Sequence, residues 1–191
     1  KSIGDGMKFT EEDKLCIPVP FFHCFGMVLA IMASITHATA MVPVDYNPVR
    51  VMDALQNEQC TAVHGVPTMF IAMLEHPDFK KYSFSKLRTG IMAGSPCPIK
   101  VMQDVVNLMG MRDIIIVFGQ TESSPGATLT TTEDSIERRV STVGRVFPHV
   151  EAKIINPETG EECPPNVPGE FCTRGYHIMK GYYKMPEATA Q

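Results

Sequence analysis

Residues Ile114-Ile115-Ile116-Val117-Phe118 run straight into Gly119-Gln120-Thr121-Glu122-Ser123-Ser124. The apolar half is short, rich in β-branched residues and free of polar alternation. That is the signature of a strand buried on both faces, as in a parallel sheet with helices above and below. The run then stops at a glycine and gives way to hydroxyls and a carboxylate. Ligands of open parallel sheets gather outside the carboxyl ends of the strands. Polar groups held out at such an end therefore point to an anionic ligand.

Upstream, the same texture recurs. Leu15–Val19, Ala38–Val44, Thr61–Val66 and Leu87–Ala93 read as further buried strands. Gly26–Thr36, Pro48–Gln59, Thr68–Glu75 and Ile99–Met109 have helical spacing between them, with Pro48, Pro67 and Pro98 where a first helical turn tolerates proline. Strand–helix alternation at this interval predicts βαβ units and an α/β fold, a parallel sheet flanked by helices. After about Thr132 the texture changes. Val150–Ile155 and Gly169–Thr173 are strand-like and are joined by a Pro- and Gly-rich stretch (residues 156–168) with no room for a crossover helix, which implies antiparallel pairing. Two regions are therefore expected, an α/β subdomain over 1–132 and a β-rich one over 133–191, with residues 130–139 (TTTEDSIERR) as a surface connector.

Totals bound the class. The chain has 191 residues, 44% hydrophobic and 20% charged, the composition of a globular protein able to bury a core. A net charge of −4 and the lack of a basic run argue against nucleic acid as a partner. The six cysteines form no CxxC pair and lie largely in apolar runs, consistent with reduced thiols in a cytoplasmic compartment. The longest apolar stretch, Met27–Ile35, is shorter than the roughly 18–20 residues of a membrane span. No signal peptide is visible. The chain opens at Lys1 without a methionine and stops at Gln191 inside PEATAQ, so it reads as a piece of something longer.

Four strand ends carry candidate ligand-facing groups: Pro18–Gly26 with His23, Gly65–Thr68, Ala93–Pro98 with Gly94-Ser95-Pro96, and the opening stretch. Glycines and small polar residues at successive strand ends suit a nucleotide, because backbone can approach a base edge closely. Each has an ordinary reading too. Gly-Ser-Pro is commonly a turn opening a helix. His23 behind two phenylalanines could be a packed ring, and Thr121 could cap a short helix with Ser124 three residues on. GxGxxG, GxSxG and GxxxxGK[ST] motifs are all absent from the chain, as is a second ligand pair that would make Cys60 and His64 a zinc site.

Three longer stretches narrow the choice: Phe118-Gly119-Gln120-Thr121-Glu122, Val143–Pro148 (VGRVFP) and Pro168–Thr189 (PGEFCTRGYHIMKGYYKMPEAT). In this order, with FFHCFG and AGSPCP before them, they resemble the AMP-forming acyl-CoA synthetases of the adenylating superfamily. The character is closest to the fatty-acyl, medium-chain-like group. The resemblance implies a large N-terminal domain whose α/β subdomain passes into part of a barrel-like β-rich one. It implies a two-step reaction in which a carboxylic acid and ATP form acyl-AMP, and coenzyme A then takes the acyl group, with magnesium as cofactor.

It also implies roles. Thr121 would hydrogen-bond the α-phosphate and Glu122 would hold or orient magnesium. Phe118, standing where the family usually has tyrosine, would stack on adenine. Gly94, Ser95 (alanine is common there) and Pro96 would line the base's other face and edge. Gly119 and Gln120 would border the pocket through backbone, Gly119 giving clearance. His23 would lie near the acyl carboxylate, with Phe25–Ala30, Val66 and Met69 as apolar wall. The family's phosphate loop would precede Lys1, and its ribose aspartate and C-terminal lysine would follow Gln191, so the chain by itself is expected to be inactive. The rival readings are a non-catalytic nucleotide-binding module of the same family, an aryl-acid or luciferase-like ligase, and a plain α/β interaction scaffold. Oligomeric state is left open by the sequence.

Overall fold

A computed structural model describes residues 1–190. β1 (Lys14–Ile17), β2 (Ala40–Pro43), β3 (Ala62–Val63), β4 (Thr89–Ala93) and β5 (Asp113–Phe118) pair in parallel. β6 (Thr128–Leu129) and β7 (Arg145–Val146) extend the sheet antiparallel, giving the order β2-β1-β3-β4-β5-β6-β7. This is the α/β architecture predicted from the alternation.

Direction of travel decides which face each helix covers. After a short first helix, α1 (Ser2–Gly6), the chain moves one way from β1 to β2, through a π-helical stretch, Phe25–Met32, that runs into α2 (Ala33–Thr36). It then moves the other way through α3 (Pro48–Asn57), α4 (Pro67–Leu74) and α5 (Ile99–Leu108). Right-handed crossovers taken in opposite directions lie on opposite faces. Accordingly Phe25, Leu29, Ala30 and Ala33 pack with Leu15, Ile17, Ile115 and Val117 on one side. Val51, Leu55, Phe70, Met73, Met102 and Val105 pack with Cys16, Met92, Ile114 and Ile116 on the other. Successive residues of β5 thus enter two different cores, which is why its sequence shows no alternation.

Local sequence signals set the helices. Asn47 caps α3, its side chain accepting from the amides of Val49 (3.0 Å) and Arg50 (3.2 Å), and Pro48 occupies the first turn. α4 likewise opens with a proline, Pro67, whereas Pro98 sits one position ahead of α5. The Gly26–Thr36 helix begins at Phe25 and is π-helical over most of its length, a wider coil that apolar spacing cannot distinguish from an α-helix. At the amino ends of β1 and β4 the Arg88 guanidinium forks onto Asp13 (2.6 and 3.1 Å), and Asp13 is almost fully buried.

Residues 130–139 are not a surface connector. α6 (Ile136–Ser141), capped by Ser135, packs against α5 and β5. Arg139 is buried, its guanidinium donating to the carbonyls of Asp134 (3.0 Å), Arg112 (2.8 Å), Ile114 (2.9 Å) and Thr132 (2.6 Å). A charged side chain can be buried when backbone carbonyls satisfy its donors.

The large sheet ends at β7. Beyond it β8 (Val150–Ile155) and β9 (Glu170–Gly175) form a separate antiparallel pair, from Val150↔Gly175 to Ile155↔Glu170, followed by α7 (Pro186–Ala190). Among the described residues no helix is long and apolar enough to cross a membrane.

Candidate functional site

A cavity of about 1040 Å³ opens at the carboxyl ends of β4 and β5. All nine residues named from the sequence line it: His23, Gly94, Ser95, Pro96, Phe118, Gly119, Gln120, Thr121 and Glu122. The segment after β1 brings His23, β4 delivers Gly94-Ser95-Pro96, and β5 delivers the rest. The three arrive together because their strands share one sheet and run the same way.

The turn after β5 is held by its own backbone and by Ser123. The Ser123 hydroxyl accepts from the Gln120 amide (3.1 Å) and lies within reach of the carbonyls of Gln120 (3.0 Å) and Pro125 (3.2 Å). Gln120 is therefore the capping position of the short 3₁₀ turn Thr121–Ser123, and Thr121 is not. Released from that duty, the exposed Thr121 hydroxyl has Cys24 Sγ at 3.4 Å as its polar neighbour among the described residues.

Gly119 has a reason unrelated to a ligand. A Cβ there would lie 1.8 Å from the Pro125 carbonyl oxygen, so the turn closes only with glycine. Phe118 is partly exposed and meets Phe171 of β9 edge-on, ring centroids 5.6 Å apart. Glu122 is tied to the segment after β9: the Met179 amide donates to its carbonyl (2.8 Å) and the Tyr182 hydroxyl to its Oε1 (2.8 Å). That phenol holds the Glu122 carboxyl below the usual carboxylate range.

His23 is exposed at the cavity rather than packed in the core. The Phe25 amide donates to its Nδ1 (3.0 Å), so the neutral ring carries its proton on Nε2. Of the expected apolar wall, Phe25 and Leu29 reach the cavity. Ala30 is in the core instead, and Met69 lines a second cavity of about 560 Å³ with Pro18–Phe22 and Pro43–Tyr46. His64 supports the wall from behind. It is fully buried, stacks against Phe9 and Phe25, accepts from the Ile91 amide (3.2 Å) and reaches the Leu29 carbonyl (3.2 Å). Burial pushes its pKa down to about 4, so it is a neutral ring packed behind the wall.

Sequence reasoning missed the far wall, Arg139–Val143 at the end of α6, having read residues 130–139 as a connector and given Val143 no role in the site. It also missed Cys24, beside His23, and Tyr182. Cys24 could have been found from its neighbour. Tyr182 lies sixty positions from Glu122 and had no local signal.

Comparison with known proteins gives the family. The sequence pattern of the family described as AMP-binding enzyme matches residues 2–183, and the chain belongs to that family. It is 56% identical over 189 residues to the protein YngI of Bacillus subtilis (strain 168), covering 98% of this chain and 34% of YngI. It is 40% identical over 184 residues to the medium-chain acyl-CoA ligase ACSF2, mitochondrial, of Mus musculus, covering 95% of this chain and 30% of that one. Among solved structures, ATP-bound MatB from Rhodopseudomonas palustris superposes with a TM-score of 0.87 at 26% identity, over 99% of this chain and 37% of MatB. The chain spans about a third of the length of the curated relatives it matches.

Proposed function

We propose that this chain provides the nucleotide- and acyl-facing part of an ATP-dependent acid–thiol ligase that makes acyl-CoA through acyl-AMP. The observation that carries the reading is the convergence of nine residues, chosen from three separate stretches, on one cavity at the sheet's carboxyl edge. Similarity to ACSF2 supports an aliphatic acid of medium length. In the first step a carboxylate oxygen bonds to the α-phosphorus of ATP as the bond to pyrophosphate breaks. In the second, the sulfur of coenzyme A takes the acyl carbon and AMP departs.

The residues act by positioning and charge neutralisation. The Thr121 hydroxyl donates to an α-phosphate oxygen. Phe118 offers a ring to adenine, with Gly94, Ser95 and Pro96 along its other side and Gly119 and Gln120 at its border. His23 presents Nε2–H toward the acyl carboxylate, and Phe25 and Leu29 line the acyl channel. Glu122 fits the magnesium that accompanies ATP, because it is a single half-buried carboxylate with Oε2 outside the Tyr182 bond. Magnesium takes one or two protein carboxylates and fills its remaining positions with phosphate oxygens and water. When bound it would neutralise phosphate charge.

ATP–pyrophosphate exchange in the longest natural form of the protein tests this. Thr121→Val should lower exchange by about 100-fold, the cost of removing one donor aimed at developing charge. Exchange at the unaltered rate would overturn the assignment.

A further inference from the structure

The stretch Gly181-Tyr182-Tyr183-Lys184-Met185-Pro186-Glu187-Ala188-Thr189 carries part of the family resemblance, yet none of its residues lines the large cavity. Its hydrogen bonds nevertheless form a chain that ends in the site. The Thr189 hydroxyl donates to the Met185 carbonyl (2.8 Å) and accepts from the Tyr182 amide (2.9 Å). Tyr182 in turn donates its phenolic proton to Glu122 Oε1 (2.8 Å). Gly181 lets the chain close: its φ is +144°, and a Cβ there would lie 2.6 Å from Thr189 Cγ2. Three residues before Tyr182, the Met179 amide holds the Glu122 carbonyl (2.8 Å). One segment thus grips Glu122 at both backbone and carboxylate.

We propose that this segment is a brace for the Glu122 carboxylate, in which Tyr182 is a positioning residue and Thr189 sets Tyr182. The terminal torsion of a glutamate is broad and roughly two-fold, so an untethered carboxylate samples many orientations. Donation to Oε1 selects one of them and takes up a lone pair of that oxygen. A cation riding on nucleotide phosphates would then be offered Oε2 in a fixed direction. The inference rests on Glu122 facing the metal, and it adds what aims the carboxylate and why Gly181, Tyr182 and Thr189 occur together. Tyr182 and Thr189 are both exposed, so they add little to the core.

Manganese binding to the full-length protein, measured by electron paramagnetic resonance in the presence of a non-hydrolysable ATP analogue, separates the possibilities. Tyr182→Phe and Thr189→Val should each weaken manganese binding about 10-fold, as loss of an outer partner of a metal ligand does. Thr189→Ser, which keeps the hydroxyl, should restore it. Tyr182→Phe should add nothing in a Glu122→Gln background. Wild-type manganese affinity in Tyr182→Phe, alongside weakened binding in Glu122→Gln, would overturn the brace and leave the role of Glu122 standing. Thr189→Ser as weak as Thr189→Val would also overturn it. Unchanged binding in Glu122→Gln would overturn the metal role itself, and the brace with it.

Discussion

β5 and β9 are both six-residue strands, yet their surroundings have little in common. Ile114–Val117 of β5 are all buried, alternate residues in opposite cores, whereas no residue of β9 is fully buried. The first is held by two layers of helices. The second is held by its partner β8 and by Phe171 on Phe118, and the segment that follows it bonds Glu122 through Met179 and Tyr182. Stability is thus concentrated in the sheet, while the hairpin region directs its contacts to groups that line the cavity.

This contrast can be broken in order of force. Ile115→Ala should cost about 2–5 kcal/mol in urea unfolding, since it removes a fully buried side chain from close packing. A loss below about 0.5 kcal/mol, the range of ordinary surface changes, would mean that the helix-covered sheet is not where stability resides. Arg139→Ala should cost about 2–3 kcal/mol by the same measurement, because charge-assisted bonds are lost and buried carbonyls are left without donors. Phe171→Ala should cost only about 0.5–1.5 kcal/mol, the scale of an aromatic pair. Its larger effect should be weaker nucleotide binding, read by calorimetry. A stability loss equal to that of Ile115→Ala would erase the distinction between the two regions.

The last effect is confined to acid. The Thr131 amide, with the Arg145 guanidinium, outweighs desolvation and holds the Asp134 carboxyl at about 2, below its ordinary 3.8. A depressed folded-state value contributes stability that is fully present above the ordinary value and lost as pH falls toward the folded one. Asp134→Asn should flatten that part of the acid-unfolding curve and leave the neutral region's slope unchanged.

β5 was legible because burial on both faces demands an unbroken apolar run, short and rich in β-branched residues. The site's floor was legible for a related reason. Parallel strands deliver their ends to one edge, so polar residues just past Phe118, Ala93 and Ile17 had to meet. What escaped lacks a periodic signal. β6 and β7 are two residues long, too short for any alternation to register. Arg139 satisfies its donors with backbone carbonyls, and carbonyls leave no trace in residue identity. Phe25–Met32 shows helical spacing whether the coil is α or π. Tyr182 meets Glu122 only once the chain has turned back, a fact of tertiary geometry.

Gly119 carries a warning for protein engineering. Its place in the middle of the cavity-lining segment that we propose faces the nucleotide invites the conclusion that the ligand selects it. The Pro125 carbonyl, 1.8 Å from where a Cβ would be, selects it first. A substitution at 119 would register in a functional screen as lost binding although the damage began in the making of the turn. Position 119 thus belongs to the loop's blueprint, and diversity aimed at new nucleotide preferences is better placed at Ser95 and Phe118, whose side chains border the cavity itself.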